Sequence, residues 1–425
     1  MRPIGTRKKL TGLLLVIAVS TGGAITGAML DRLVLADLAL SGNSQAGPDF
    51  SLISEAWDVI SKRYVDRQAV QSQKLTYGAI SGMVNALGDT GHSTFLNPRM
   101  LNIENHFLEG NISGIGAQIQ SKEGHIVILA PIDDSPAQRA GLKSGDIILK
   151  VNGRDITGLP VEEAVSLIAG KPGTSVDLTV LDQKSGQTRD ISIVRAHITV
   201  KNVRWERLPG SKTAHLRIAG FSQGVGEEVR KALKQIRSEG FTAIILDLRD
   251  NPGGVLDEAV ETASQFLSGG IVVLQKNSTG DIKSIAVQPG GLATKIPLVV
   301  LINGGTASGS EIIAGAIKDA DRAKLVGEKT FGTGTVLQKY GLSDGSAILI
   351  AIAEWITPAG NVIWHKGIMP DFEAGLPDSV VPLYPEKERG MNTAQLQASR
   401  DTQLLKALDL VTRTPDKELQ LRINN

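Results

Sequence analysis

Apolar residues in this chain recur with changing period, and the changes mark its parts. Between about residues 50 and 87, Leu52, Ile53, Ala56, Trp57 and Ile60, then Ala79, Ile80, Met83, Val84 and Leu87, fall at helical spacing. Gly88-Asp89-Thr90-Gly91-His92 ends that run with turn residues. From roughly Ile112 to His197 the pattern is β-rich, with strands expected at 126–130, 175–181 and 188–195 and one helix at 161–169. Beyond it strands and helices alternate: strands at 213–218, 243–248, 297–302 and 323–326, helices at 227–238, 256–267 and 310–320. Such alternation predicts an α/β domain with a largely buried sheet. The stretch past Glu386 is polar, with a helix expected near 401–411.

Candidate chemistry sits at the Gly-rich turns between these elements. The apolar strand ending at Ile302 runs into Asn303-Gly304-Gly305-Thr306-Ala307-Ser308-Gly309, and Ile312, Ile313, Ala316 and Ile317 then follow at helical spacing. Ser308 is thereby placed near a helix N-terminus, where free N–H groups and the helix dipole favour developing negative charge. A nucleophilic serine needs that setting, because acyl transfer requires donors aimed at an oxyanion. Read alone, the window fits a Ser/Thr/Gly cap on an ordinary helix better than a nucleophile, and the rest of the chain reverses that preference. The strand at 243–248 runs into Arg249-Asp250-Asn251-Pro252-Gly253-Gly254, whose paired glycines let backbone N–H groups approach a ligand. Phe331-Gly332-Thr333-Gly334 is a further turn of this kind.

Composition narrows the function. Lys+Arg 45 against Asp+Glu 44 leaves a net charge of +1 and no basic stripe, which argues against nucleic acid. With no cysteine, disulfides and thiolate chemistry are excluded. The 6 histidines show no metal-ligand spacing and there is no P-loop, so neither metal nor other cofactor is indicated. Arg2, Arg7, Lys8 and Lys9 precede an uncharged stretch from Leu10 to Leu30, long enough to span a bilayer. We expect a signal anchor there with the body extracytoplasmic; a cleaved signal peptide near Ala18-Val19-Ser20 is the competing reading.

The segment from Ile112 to His197, with Gly114-Ile115-Gly116-Ala117, Ser135-Pro136-Ala137 and Gly145-Asp146-Ile147-Ile148, resembles a PDZ domain. The resemblance implies that Gly114, Ile115, Gly116 and Ala117 form a loop that captures a peptide C-terminus beside an added strand. Together with the turns around Gly253, Ser308 and Gly332, and with Lys366-Gly367-Ile368-Met369-Pro370-Asp371, it resembles the carboxyl-terminal processing (tail-specific) serine proteases over roughly residues 50–377. That resemblance implies Ser308 as nucleophile, with N–H groups of Gly253 or Gly254 and of Gly309 as oxyanion hole. It implies protein or peptide substrates with free C-termini.

One position departs from the family. A lysine between the two glycines of the FGxG turn is its usual base; here the residue is Thr333, and the usual glutamine position holds Leu337, with Gln338 next. Three explanations stand. His92, in Asp89-Thr90-Gly91-His92-Ser93, resembles the histidine of tricorn-type relatives and suits general-base work. Lys329 would be a displaced lysine base with a depressed pKa. Loss of catalysis would leave a peptide-binding scaffold or regulator. A PDZ domain that blocks the site until a ligand shifts it is a further expectation. Glu354 or Glu373 would orient a catalytic histidine, and His365 stands at the rim. The organisation expected is 1–40 anchor or signal peptide and linker, 41–111 N-terminal helical part, 112–197 PDZ-like domain, 198–380 α/β protease core with a mixed sheet, and 381–425 C-terminal tail.

Overall fold

The computed structural model describes residues 49–89, 93–108, 111–122, 124–159, 161–183, 185–199, 201–377 and 380–423. The expected membrane segment at 10–30 and the candidate base His92 lie outside the described residues. Among the described residues no helix is long and apolar enough to cross a membrane.

The chain divides into two units, residues 1–72 and 73–425. In the first, helix α1 (Phe50–Arg63) is capped by Asp49, whose carboxylate accepts from the N–H groups of Ser51 and Leu52. No residue of α1 is buried.

Helix α2 (Ser72–Asn85) begins at the division, and β1 (Thr94–Leu96) and α3 (Pro98–Leu108) of the second unit then precede an inserted β domain. Strands β2 (Asn111–Gly114) and β9 (Ala196–Thr199) pair antiparallel where the chain enters and leaves that domain. Between them lie β3 (Ala117–Lys122), β4 (His125–Pro131), α4 (Pro136–Arg139), β5 (Ile147–Val151), β6 (Arg154–Asp155), α5 (Val161–Ile168), β7 (Ser175–Leu181) and β8 (Thr188–Val194). The sheet order is β3-β4-β5-β7-β8, so among the described residues β3 pairs with β4 alone and its other edge is open. Ile126, Ile128, Ile148, Val176, Leu178 and Ile193 fill a core separate from that of the α/β region.

The α/β region holds β10 (Val203–Arg207), β11 (Thr213–Ile218), α6 (Val225–Ser238), β12 (Ala243–Asp247), α7 (Leu256–Phe266), β13 (Ile271–Asn277), β14 (Ile282–Ala286), β15 (Leu298–Ile302), α8 (Gly309–Asp319), β16 (Lys324–Gly327), β17 (Thr335–Gly341), β18 (Ala347–Ile356) and β19 (Phe372–Glu373). Its main sheet runs β10-β11-β12-β15-β16-β19, parallel except at β10. Alternate residues of each strand serve different layers, as the pleat requires. Ile244, Leu246, Val300 and Ile302 pack with α6, α7 and α8, whereas Ala243, Ile245, Val299 and Leu301 pack with Leu396, Leu404, Ala407 and Val411. The stretch read from the sequence as a tail thus covers a sheet face, through α9 (Pro385–Glu388), α10 (Thr393–Ala398) and α11 (Thr402–Ile423). A second sheet, β1-β18-β13-β14 with β17 on β18, was not evident in the hydrophobic pattern.

Register places three turns together. β12 pairs with β15 up to Asp247 and Leu301, and β15 with β16 up to Ile302 and Gly327. Neighbouring parallel strands end at one edge, so the turns that follow them, carrying Gly253, Ser308 and Thr333, leave side by side. Carboxyl ends of parallel strands are where α/β sheets form crevices.

Candidate active site

Ser308 caps α8 with φ 51 and ψ −118, a conformation a non-glycine residue adopts only when its surroundings impose it. Those surroundings are the two neighbouring loops. Ala307 N and Ser310 Oγ both donate to Asn251 O, at 2.9 and 3.0 Å, while Thr306 Oγ1 donates to Leu248 O at 2.8 Å. Gly253 lies so close that a methyl group on it would stand 2.6 Å from Ser308 Cβ and 2.8 Å from Gly309 N. Only glycine fits, and its φ of 94 requires glycine as well.

The three proposed oxyanion donors are not equivalent. Gly253 N already donates to Asn251 Oδ1 at 2.9 Å. Gly254 N and Gly309 N donate to no protein acceptor among the described residues. Gly309 is the first residue of α8, so its N–H lies outside the helical bonding ladder.

The residue that joins the serine to the Phe331–Gly334 turn was not among the sequence candidates. Glu311 is completely buried; its Oε2 accepts from Ser308 N at 3.0 Å and from Thr333 N at 2.9 Å, and its Oε1 from Gly332 N at 2.7 Å and Thr330 Oγ1 at 2.6 Å. Ser308 and Thr333 therefore share one acceptor oxygen. Burial pushes the carboxyl pKa up, against the opposing pull of these donors. The available signal was the Ser-x-x-Glu spacing of a capping box, Ser308 to Glu311.

Thr333, at the family's lysine position, has a buried hydroxyl with no partner among the described residues. Lys329 is exposed and stands outside the group gathered by Glu311. Leu337 and Gln338 are exposed on β17. His92 itself is not described, but Asp89 and Ser93 on either side of it are. Ser93 N and Oγ donate to Asp89 Oδ2 at 2.9 and 2.5 Å, and Ser93 Oγ accepts from Ala351 N of β18 at 2.9 Å. The same strand supports the Thr333 turn, since Trp355 N donates to Gly334 O at 2.7 Å. His365, exposed and with φ 58, donates its N–H to Gly332 O at 2.9 Å and stacks on Trp364. Glu354 lies on β18 opposite Thr335, whereas Glu373 lies on β19 at the edge of the other sheet.

Beneath the Arg249–Gly254 loop is a buried ionic cluster that no sequence motif announced. Arg249 binds Asp247 through Nε and Nη2 and Asp401 through Nη1. Arg217 Nε and Nη2 grip Asp133 of the β domain at 3.0 and 3.1 Å, and its Nη1 donates to Arg249 O. His215 lies between Glu388, 2.6 Å away, and Asp247, 3.1 Å away. Burial alone would lower its pKa, but the two carboxylates outweigh it and push it up to about 9. Asp247, though buried, is held far below the usual carboxylate range by Arg249, His215 and Arg217.

In the β domain, Gly114, Ile115 and Gly116 are buried at the head of the open-edged β3. The N–H groups of Ile115 and Gly116 donate to no protein acceptor among the described residues, which leaves a pair of donors at the end of a strand-binding edge.

Comparison with known proteins follows the same division. Residues 212–374 match peptidase family S41, residues 127–182 match the PDZ domain, and residues 22–98 match the activating protease CtpB N-terminal domain. The chain is 34% identical over 358 residues to the carboxy-terminal processing protease CtpA of Bacillus subtilis (strain 168), covering 84% of this chain and 76% of that protein. It is 35% identical over 364 residues to a probable CtpA-like serine protease of Staphylococcus epidermidis, covering 84% and 73%. Among solved structures it resembles a photosystem II D1 C-terminal processing protease, with TM-score 0.67 and 28% identity over 83% of this chain and 98% of that one.

Proposed function

The chain belongs to peptidase family S41 as a C-terminal processing serine protease with a PDZ domain, and on that premise we propose that Ser308 is its nucleophile and His92 its general base. The observation that carries the reading is the strained Ser308 at the start of α8, flanked by the unpartnered N–H groups of Gly254 and Gly309. Ser308 Oγ attacks the scissile carbonyl while His92 takes its proton. The carbonyl oxygen gains the negative charge and receives Gly254 N–H and Gly309 N–H. Of the glycine pair, Gly254 is the donor, because Gly253 N–H is committed to Asn251 and serves to shape the loop. Collapse of the intermediate breaks the peptide bond, with His92 returning the proton to the leaving amine. Water then hydrolyses the acyl-enzyme by the reverse use of the same groups.

His92 is preferred over Lys329 because residues 89 and 93 are anchored to β18, which also supports the Thr333 turn. Glu354, on that strand, is preferred over Glu373 as the group that orients the imidazole. The PDZ domain binds the substrate's C-terminal residues as a strand added to β3, with the terminal carboxylate on the N–H groups of Ile115 and Gly116. Residues 10–30 anchor the protein with this machinery on the extracytoplasmic side; proteinase accessibility in intact cells tests that placement, and cleavage near residue 20 would be seen by N-terminal sequencing.

Thr333 in the lysine position favours a second reading, a peptide-binding protein without turnover. Fluorophosphonate labelling of the full chain separates the two. Labelling at Ser308 that His92→Ala abolishes and Lys329→Ala preserves supports the Ser–His protease. Loss with Lys329→Ala alone would replace His92 by a displaced lysine, and an unlabelled parent would favour the binding protein.

A further inference from the structure

We propose that Arg217 is a positioning residue that transmits the state of the PDZ carboxylate loop to the oxyanion loop; this rests on the assignments of Ser308 and of Ile115 and Gly116 made above. The path is a chain of short contacts. Ile132 N donates to Gly116 O at 2.9 Å and Ala137 N to Ile115 O at 2.8 Å, so the turn between Ile132 and Ala137 is fastened to the loop that receives the peptide carboxylate. That turn carries Asp133, which is buried and accepts both bonds of the Arg217 fork. The third arm of the same guanidinium donates to the carbonyl of Arg249, the residue before Asp250. Asp250 opens the turn that holds Gly253 against Ser308 and presents Gly254.

The geometry makes this contact a transmitter rather than a cushion. A guanidinium is planar, and its donors have fixed relative directions. Arg217 is fully buried, with the Tyr384 ring against its guanidinium at 4.2 Å, and the Tyr384 hydroxyl donates to Asp250 Oδ2 at 2.8 Å. If the Asp133 turn shifts, Arg217 must either follow it and pull on the Arg249 carbonyl or give up a buried charge pair. Breaking such a pair is strongly unfavourable, so the loop moves with the turn. The junction has little room to absorb the shift otherwise. A cavity of about 20 Å³, enough for one water, is lined by Gln118 and Ile132 on one side and Asn202, Gly220, Asp250 and Pro252 on the other. The neighbouring pair of Arg204 with Asp134 at 3.0 Å is a weaker tie, because the Asp134 carboxylate is 64% exposed.

Steady-state cleavage by the full chain tests the proposal. The probe is a fluorogenic tail peptide selected for binding to the Ser308→Ala protein, used with a free C-terminal carboxylate and as its C-terminal amide. In the parent, kcat is expected to be several-fold higher for the carboxylate form. Arg217→Met and Asp133→Asn should each bring that kcat ratio close to unity. The peptide's dissociation constant, read by fluorescence anisotropy in the Ser308→Ala background, should change by no more than about twofold. Asp133→Asn keeps the side-chain shape and one acceptor, so it carries the test if Arg217→Met fails to fold. A ratio unchanged in a folded variant overturns the proposal, as does a parent whose kcat is indifferent to the amide. An effect confined to KM and matched by lost peptide affinity also overturns it, leaving Arg217 a merely structural residue. Absence of Ser308-dependent cleavage by the parent overturns instead the assignment on which the proposal rests.

Discussion

Glu311 and Arg249 are both charged side chains buried completely within the same domain, yet the fold accommodates them in opposite ways. Among the described residues Glu311 meets no cation: its carboxylate is surrounded by three backbone N–H groups and the Thr330 hydroxyl. Arg249 is neutralised outright by Asp247 and Asp401, within a cluster that includes Arg217, Asp133, His215 and Glu388. All partners of Glu311 lie within 22 residues of it in sequence, whereas Arg249 reaches Asp401 across 152 residues. The difference separates two tasks. A ring of N–H donors around one carboxylate fixes the backbone of the Ser308 and Thr333 turns. Paired charges fix the relation between distant segments, and their cost appears when one partner is removed.

Substitutions can break that contrast, and the largest effect is expected at Arg249. Arg249→Met leaves Asp401 buried without its cation and Asp247 with only His215 and Arg217, and should cost about 3–5 kcal/mol in denaturant unfolding, as for other broken buried pairs. Glu311→Gln should cost less stability, about 1–3 kcal/mol, because it presents an amide N–H₂ to backbone donors. Its signature is functional: Ser308 labelling by fluorophosphonate should slow by on the order of 10²-fold, the scale of a lost transition-state contact. Equal loss of stability in both variants with labelling intact in Glu311→Gln would erase the distinction. A smaller effect is expected from His215, whose imidazolium is favoured in the folded state by Glu388 and Asp247. Stability from a raised histidine pKa is fully present below pH 6.5, the unfolded value, and disappears as pH climbs through about 9. The melting temperature should therefore fall across that window, and His215→Gln should flatten the fall. The smallest effect belongs to Lys329→Ala: exposed and outside the Glu311 group, it should change stability by less than about 0.5 kcal/mol and leave Ser308 labelling unaltered.

The same contrast explains what could be read from the sequence. β12 and β15 were legible because both faces of a parallel strand are covered and the sequence is apolar throughout, as in Ala243–Leu246 and Leu298–Ile302. The turn that carries Ser308 was legible from its own run of small residues between an apolar strand and a helix-period segment, although its hydrogen-bond partners Leu248 and Asn251 lie 58 and 59 residues away. β11 was read as a strand, but its polar positions have partners that the local pattern does not show. Thr213, His215 and Arg217 alternate with Ala214, Leu216 and Ile218, the pattern of a strand with one face in water, yet every residue of it is buried. The covering segment begins near Leu383, and the carboxylates that neutralise that face lie 84 residues before Arg217 and 173 residues after His215. No local pattern encodes such a partnership. β17 and β18 escaped notice for another reason: a register shift between Val336 and Leu337 breaks the alternation, and most of β18 is only half-buried on both faces.

The Arg249–Asp401 pair also has a consequence in time. Translation delivers Ser308 and the whole Arg249–Gly254 loop well before it delivers Asp401, and until Asp401 emerges Arg249 lacks one of its two neutralising carboxylates. A nascent or prematurely terminated chain can carry the Ser308 turn and the Arg249–Gly254 loop and still lack one counter-charge of the buried Arg249. Synthesis must therefore pass residue 401 before the Arg249 charge has both of its carboxylates.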